Sequence, residues 1–159
     1  MNLQDWVFAL HLVAAATLVG GLVMSWIFVV AVRNVEEPDV TLTLNRVAIV
    51  ATGAIVVGLP SVISLGIWLA LLRPQLRPWH GWAIAAIVLW VIAAAAVTRS
   101  FIEYAKSTRK ARELMASGQF GPNSELRALN RTSTGLLFRA LASAAIVLIV
   151  VDMIYKPGA

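Results

Sequence analysis

The sequence has no cysteine and few charged residues. Of its 159 residues, 13% are charged and 60% are hydrophobic, and its mean hydropathy is +0.82. Without cysteine, the chain cannot form disulfides, thiolate zinc sites, iron–sulfur centres or covalent haem attachments, and it has no cysteine nucleophile. A soluble domain of ordinary composition carries about twice this share of charge. The composition therefore predicts an integral membrane protein.

The sequence also lacks the common catalytic motifs. It contains no Ser/His/Asp arrangement, no glycine-rich phosphate loop, no H-E-x-x-H motif and no carboxylate pair inside an apolar stretch, so soluble hydrolase and transferase chemistry is excluded. The net charge of +5 indicates a basic membrane face rather than a nucleic-acid partner. We assign no enzymatic activity from the sequence and lean against one.

Four apolar stretches are long enough to cross a bilayer, which needs about 20 residues of helix. They are residues 6–32, 47–72, 81–98 and 136–155. We therefore predict an all-α fold: a single membrane domain formed by a bundle of four transmembrane helices, surrounded by lipid. Because no helix breaker precedes Gly118, the third helix should extend into the cytoplasm.

The connection at 99–135 is basic, and a short helix should begin within it at Asn123 or Ser124, because either can cap a helix. Its role is left open between a partner-docking site, a contact with anionic lipid and an ordinary connector. The start of the chain lacks a basic n-region and has Asp5 ahead of the apolar run. We therefore expect the first stretch to remain as a helix rather than to be removed as a signal peptide.

The distribution of Lys and Arg predicts the orientation. Ten of the 13 lie in the first and third connections or at the start of the fourth stretch, and three lie on the other side. By the positive-inside rule, these connections are cytoplasmic and both termini are outside, in a bacterial cytoplasmic membrane. Most tryptophans fall near the ends of the stretches, as interfacial anchors do, but Trp90 lies near the middle of one.

One face of the first helix is rich in small residues and contains a histidine. His11 belongs to a stripe spaced by three and four residues, which should pack against protein because small residues let helices approach closely in lipid; its other members are Ala14, Leu18, Gly21 and Ser25. The opposite face should contact lipid; it carries Leu12, Val19, Val23 and Ile27. An ionisable residue inside a span is a candidate functional group, although His11 could instead simply hydrogen-bond to a neighbouring helix.

Three further residues complete the candidate site: His80, Ser61 and Ser64. His80, at the start of the third stretch, could share one outer region with His11, or could be an interfacial residue exposed to water. In the second stretch, Pro60 should bend the helix and leave backbone groups for a ligand, water or hydroxyl. Ser61 or Ser64 beside it could hold the His11 ring.

We also expect two ion pairs. One is between Arg139 and Glu103, and the other is between Asp152 and either Arg73 or Arg77.

Short motifs along the chain resemble those of known membrane proteins. Residues 5–22 read D-W-V-F-A-L-H-L-V-A-A-A-T-L-V-G-G-L, which resembles the W-x-x-A-L-H and Gly-Leu pattern that opens HemJ-type and CopD-related proteins. Gly58-Leu59-Pro60 with Gly66-Ile67-Trp68-Leu69, and the closing Ile154-Tyr155-Lys156-Pro157, are similar to their later motifs. Overall, the chain resembles an uncharacterised family of predicted four-span bacterial integral membrane proteins.

The resemblance implies a cofactor. HemJ-type proteins oxidise protoporphyrinogen and bind haem b, with the helix-one histidine as an axial ligand, which His11 matches here. The resemblance therefore implies haem b with its iron on His11, with His80 or no protein group as the second ligand, and a redox or porphyrin-handling role. The alternative is a non-catalytic accessory or structural protein that forms a homo-oligomer or joins a larger membrane complex.

Overall fold

The protein is almost entirely helical. A computed structural model describes residues 2–72 and 81–155. Within them the helices are α1 (Leu3–Val32), α2 (Pro38–Leu72), α3 (Gly81–Ala116), α4 (Ser124–Asn130) and α5 (Ser133–Tyr155). Four helical stretches, one of which includes α4 and α5, are long and apolar enough to cross a membrane. The predicted all-α, four-span bundle is therefore confirmed, including a third helix that at 36 residues is longer than a bilayer requires.

The long helices pair as two hairpins, α1 with α2 and α3 with α5, and α2 makes a smaller contact with α3. All four contribute to one apolar core. Its members are Leu18 and Leu22 from α1, Ile55 and Leu59 from α2, Ala93, Ala96 and Val97 from α3, and Ala142, Ala145 and Ile146 from α5. Small residues predominate on α3 and α5, so these two helices can approach closely.

Glycine brings α1 and α2 together. A Cβ on Gly21 would lie 2.9 Å from the Cβ of Ala54, and one on Gly58 would lie 3.0 Å from the Cα of Leu18. The predicted small-residue stripe of α1 is confirmed as a buried face at Ala14, Leu18, Gly21 and Ser25. The predicted lipid face is exposed by 44% to 56% at Leu12, Val19, Val23 and Ile27.

One end of the bundle carries a packed layer, which we call the cap. It consists of residues 33–37, the first turns of α2, α3 beyond residue 98, and α4. The helix α2 begins at Pro38, nine residues before the apolar stretch predicted from the sequence. Leu126 of α4 and Ala111 of α3 are completely buried and pack with Leu114 and Leu42. The prediction of a short helix with an Asn123 or Ser124 cap is confirmed, because the Asn123 side chain accepts a hydrogen bond from the Leu126 amide.

Within the cap, polar contacts join α4 to the α1–α2 connection and to the start of α2. The Asn130 side chain is 2% exposed, and its Nδ2 donates to the carbonyl of Val35 over 3.0 Å and to Oγ1 of Thr41 over 3.3 Å. Arg127 pairs with Glu36 over 2.6 Å. The predicted basic connection is therefore a folded layer with its own small core.

Candidate functional site

His11 is half-buried on α1 and faces the backbone of α2. A Cβ on Gly66 would lie 3.2 Å from Cε1 of the ring and 3.6 Å from Nδ1, and the ring also lies against the backbone of Val62. Nδ1 is buried and is not hydrogen-bonded to any of the described residues. The missing side chain at Gly66 therefore leaves the room that the imidazole occupies.

The serines of α2 bond to their own helix. Ser61 Oγ donates to the carbonyl of Val57 over 2.7 Å, and Ser64 Oγ donates to that of Pro60 over 2.8 Å. A carbonyl four residues back is always within reach of a helical serine, so it competes well with a group on another helix. Neither hydroxyl bonds to His11 within the part of the chain that the structure describes. A cofactor-binding role for Ser61 and Ser64 stays a prediction.

His80, Arg73 and Arg77 lie outside the described residues. The predicted meeting of His80 with His11, and the predicted pairing of Asp152 with one of the two arginines, therefore stay predictions. Asp152 itself lies near the end of α5, and its Oδ2 is buried with no hydrogen-bond partner among residues 2–72 and 81–155.

The ion pair expected between Arg139 and Glu103 does not form. Glu103 instead binds Arg99 over 3.1 Å and Lys106 over 2.6 Å. These partners are four residues before and three residues after it on the same helix, so they reach its carboxylate without crossing to α5. Glu103 lies beyond the third apolar stretch, and the hydrogen bond from Lys106 holds the pKa of its carboxyl below the ordinary value.

Arg139 is buried in the bundle instead of reaching a polar surface. It is only 8% exposed, and its Nη2 donates to Ser100 Oγ over 3.3 Å. Its Cζ lies 4.9 Å from the centre of the Tyr104 ring, which is within the range of a cation–π contact. Gly135 makes space for that ring, because a Cβ there would lie 3.2 Å from Tyr104 Cε2.

A small cavity adjoins Arg139. Its volume is about 10 Å³, which is about the room needed for one water molecule. Ser25, Ser100 and Arg139 border it together with apolar side chains from all four long helices, and its surface is almost wholly apolar. The cavity therefore lies where the two hairpins meet.

Comparison with known families settles the class of the chain. Residues 6–157 match a family described as "Predicted integral membrane protein (DUF2269)". The chain belongs to this family. The match spans all four apolar helical stretches and confirms the predicted membership of a family of integral membrane proteins. Comparisons with curated proteins and with solved structures found no match.

The described part of this DUF2269 protein contains no group of three or more His, Cys, Asp and Glu residues placed to hold a metal ion. The polar groups that stand out are His11 near one end of the bundle and Arg139 near the other. Sequence reasoning found the first and gave the second the wrong partner, Glu103. The missed signal was the spacing of the buried residues of α5, since Arg139 shares a face with Gly135, Ala142 and Ile146.

Proposed function

We propose that this membrane protein binds haem b through His11 and has a redox or porphyrin-handling role. The supporting observation is the orientation of the ring. Cε1 and Nδ1 face Gly66, which leaves Nε2 as the ring nitrogen farther from Gly66. A histidine that ligates a metal usually turns its other ring nitrogen towards a backbone carbonyl or a carboxylate, and the backbone of Val62 beside the ring offers such a carbonyl. The resemblance of residues 5–22 to HemJ-type proteins supports the same assignment.

Among the described residues, His11 is the one that would hold the haem iron. Because the His11 ring already contacts the backbone of α2, a porphyrin cannot lie between α1 and α2 at this level. His80 or no protein group would be the second ligand of a haem held by His11. His11 would hold the iron and Gly66 would let the ring pack in a fixed orientation. Bound haem b would supply one-electron redox chemistry.

Absorption spectroscopy tests this proposal. The protein purified from its native membrane should show a Soret band, and His11→Ala should lose it while still reaching the membrane. Thr17→Ala is a matched control on the exposed side of α1 and should keep the band. His80→Ala should shift the spectrum or leave it unchanged, and acidified solvent should extract the haem because no cysteine attaches it. A colourless wild type that also fails to take up added haemin would contradict the proposal.

A second candidate function is that of a non-catalytic accessory subunit in a homo-oligomer or a larger membrane complex. The cap favours it, because a connector with completely buried residues such as Leu126 presents a fixed surface to a partner. Gentle detergent extraction followed by native mass measurement separates the two candidates. A colourless protein in a stable larger assembly favours the accessory role, and a coloured monomer favours haem binding.

We further propose that the membrane is the bacterial cytoplasmic membrane, with the cap inside and both termini outside. The support is the excess of Lys and Arg at the cap end, ten against three, which follows the positive-inside rule. The exposed apolar side chains along the four spans fit a surrounding bilayer.

A further inference from the structure

A shallow groove runs along the exposed face of α3. Its volume is about 520 Å³, which is far more room than a water molecule or a single ion needs. Its lining residues all belong to α3, between Trp90 and Ile102, and its surface is mostly apolar. The small side chains of Ala94 and Ala95 lie between the bulkier ones at its two ends. The groove faces the surroundings of the bundle, because Val91 and Ile102 are 54% and 48% exposed.

The length of the groove matches one leaflet of a bilayer. Trp90 binds the carbonyl of Leu59 near the middle of the bundle, and Ile102 lies about 18 Å farther along the helix towards the cap. Half of a bilayer core is about 15 Å thick. The groove therefore extends through the leaflet at the cap end, where it can lie parallel to a lipid chain.

Arg99 lies in the half of this groove that is nearer the cap. Ser100, the next residue, borders the same small cavity as Ser25 of α1, and α1 continues from Ser25 for about 10 Å to Val32. At this depth α1 still exposes apolar side chains to lipid, such as Val30, which is 67% exposed. The Arg99 side chain is itself 51% exposed. A guanidinium among lipid chains is costly unless it reaches a polar group.

The charge beside the groove is positive. Arg99 binds one oxygen of Glu103 over 3.1 Å and Lys106 binds the other over 2.6 Å, so two cations share one carboxylate. The Glu103 side chain is 7% exposed, whereas those of Arg99 and Lys106 are 51% and 52% exposed. The three residues therefore present a net positive surface next to an apolar groove. The complement of such a surface is a molecule with an apolar chain and an anionic head.

We propose that the groove of α3 binds one anionic phospholipid of the leaflet at the cap end. An acyl chain lies along the helix between Trp90 and Ile102, and the phosphate is held by Arg99 with Lys106 beside it. A guanidinium suits this role, because its planar set of donors matches phosphate oxygens. Glu103 is a positioning residue, because it holds both cations on the same helix face. The site does not depend on haem binding at His11, which is on α1.

The test uses the full-length protein in detergent. It is titrated with phosphatidylglycerol, which is anionic, or with phosphatidylcholine of the same acyl chains, which has no net charge. Phosphatidylglycerol should raise the melting temperature saturably by a few degrees, because a ligand that binds only the folded state stabilises it. Native mass measurement should show one such lipid retained per chain. Arg99→Gln should raise the lipid concentration at half-effect about tenfold. Arg112→Gln changes an exposed arginine of the same helix outside the groove and should leave that concentration unchanged.

A second pair of variants tests the groove without changing any charge. Ala95→Phe fills the groove and should remove the response to phosphatidylglycerol, whereas Ala85→Phe, at an exposed position of α3 outside the groove, should keep it. Equal responses to the two lipids, or a full response in Ala95→Phe, would overturn the proposal. So would equal stabilisation by inorganic phosphate at the same concentration, because free phosphate does not need the groove. A dimer that excludes lipid and separates in Ala95→Phe would also overturn it, because the groove would then hold a second copy of the chain.

Discussion

The indole Nε1 of Trp90 donates a hydrogen bond to the carbonyl of Leu59 over 2.9 Å. Leu59 immediately precedes Pro60, and α2 continues as a helix through both, from Pro38 to Leu72. The bond joins α3 to α2, so it links the two hairpins in the middle of the bundle. It also explains why one tryptophan lies away from the membrane interfaces, because its N–H group has a protein partner there.

Removing this bond should weaken the contact between the hairpins. Trp90→Phe keeps an aromatic ring but no donor, so we expect the free energy of unfolding to fall by about 1 kcal/mol. The measurement is unfolding of the detergent-solubilised protein by heat or denaturant. Trp68→Phe, at a 46% exposed position of α2, is the control and should be nearly neutral. An equal fall in the free energy of unfolding for the two variants would show that the Trp90–Leu59 hydrogen bond does not stabilise the bundle.

Two adjacent glycines in α1 should respond in opposite directions to alanine. A Cβ on Gly21 would come within 2.9 Å of Ala54, whereas nothing lies within 4 Å of a Cβ on Gly20. Gly21→Ala should therefore cost about 1–3 kcal/mol through overpacking. Gly20→Ala should gain up to about 1 kcal/mol, because alanine favours helix more than glycine does. If both variants changed the free energy of unfolding in the same direction in one assay, the result would argue against the close packing of α1 on α2.

The lack of native cysteine makes the orientation directly measurable. Single cysteines at Glu37 and Gln119 should be protected in intact cells, and those at Gln75 and Gly158 should react with an impermeant maleimide. Gln119 is preferred to Gly118, whose φ of 74° disfavours a side chain. Labelling of the first pair alone would show that the cap faces outwards.

The cap should unfold locally when Asn130 is changed. Asn130→Ala removes the bonds to Val35 and Thr41 and leaves the Val35 carbonyl without that partner, which should cost about 1–3 kcal/mol. Limited proteolysis should then cut residues 33–37 faster, with little change in the apolar core. Gln119→Ala, at an exposed position, is the control. Unchanged cleavage would mean that the cap does not depend on Asn130.

The ion pairs of Glu103 should give stability that depends on pH. Because the Lys106 hydrogen bond lowers the pKa of Glu103 in the folded protein, its contribution is fully present above the pKa of an unfolded glutamate. It is lost as the pH falls through the lower, folded pKa. Wild type should therefore be more stable than Glu103→Gln at pH 7, and the difference should shrink in acid. A constant difference in melting temperature over that range would contradict this.

The sequence was informative where a physical pattern was regular, and failed where a contact between distant residues decided the outcome. The stripe through Gly21 and the cap at Asn123 follow from helix periodicity and local hydrogen bonding, so both could be predicted. The partner of Arg139 was wrongly predicted because the surroundings of its side chain depend on the space left at Gly135 and on Ser100 of another helix. The neighbours of His11 were also not predictable, because the hydroxyls of Ser61 and Ser64 donate hydrogen bonds to carbonyls of their own helix.

The division into two hairpins has a consequence for how the protein is made. Helices α1 and α2 form one closely packed pair, and α3 and α5 form the other, so the first pair can assemble in the membrane while the second is still being synthesised. The cap cannot assemble until the second pair is made, because it needs the contacts of Asn130 with Val35 and of Arg127 with Glu36. Val35 and Glu36 lie in the connection of the first pair. The cap is therefore the last part to close, and its closure distinguishes a completed molecule from two inserted halves.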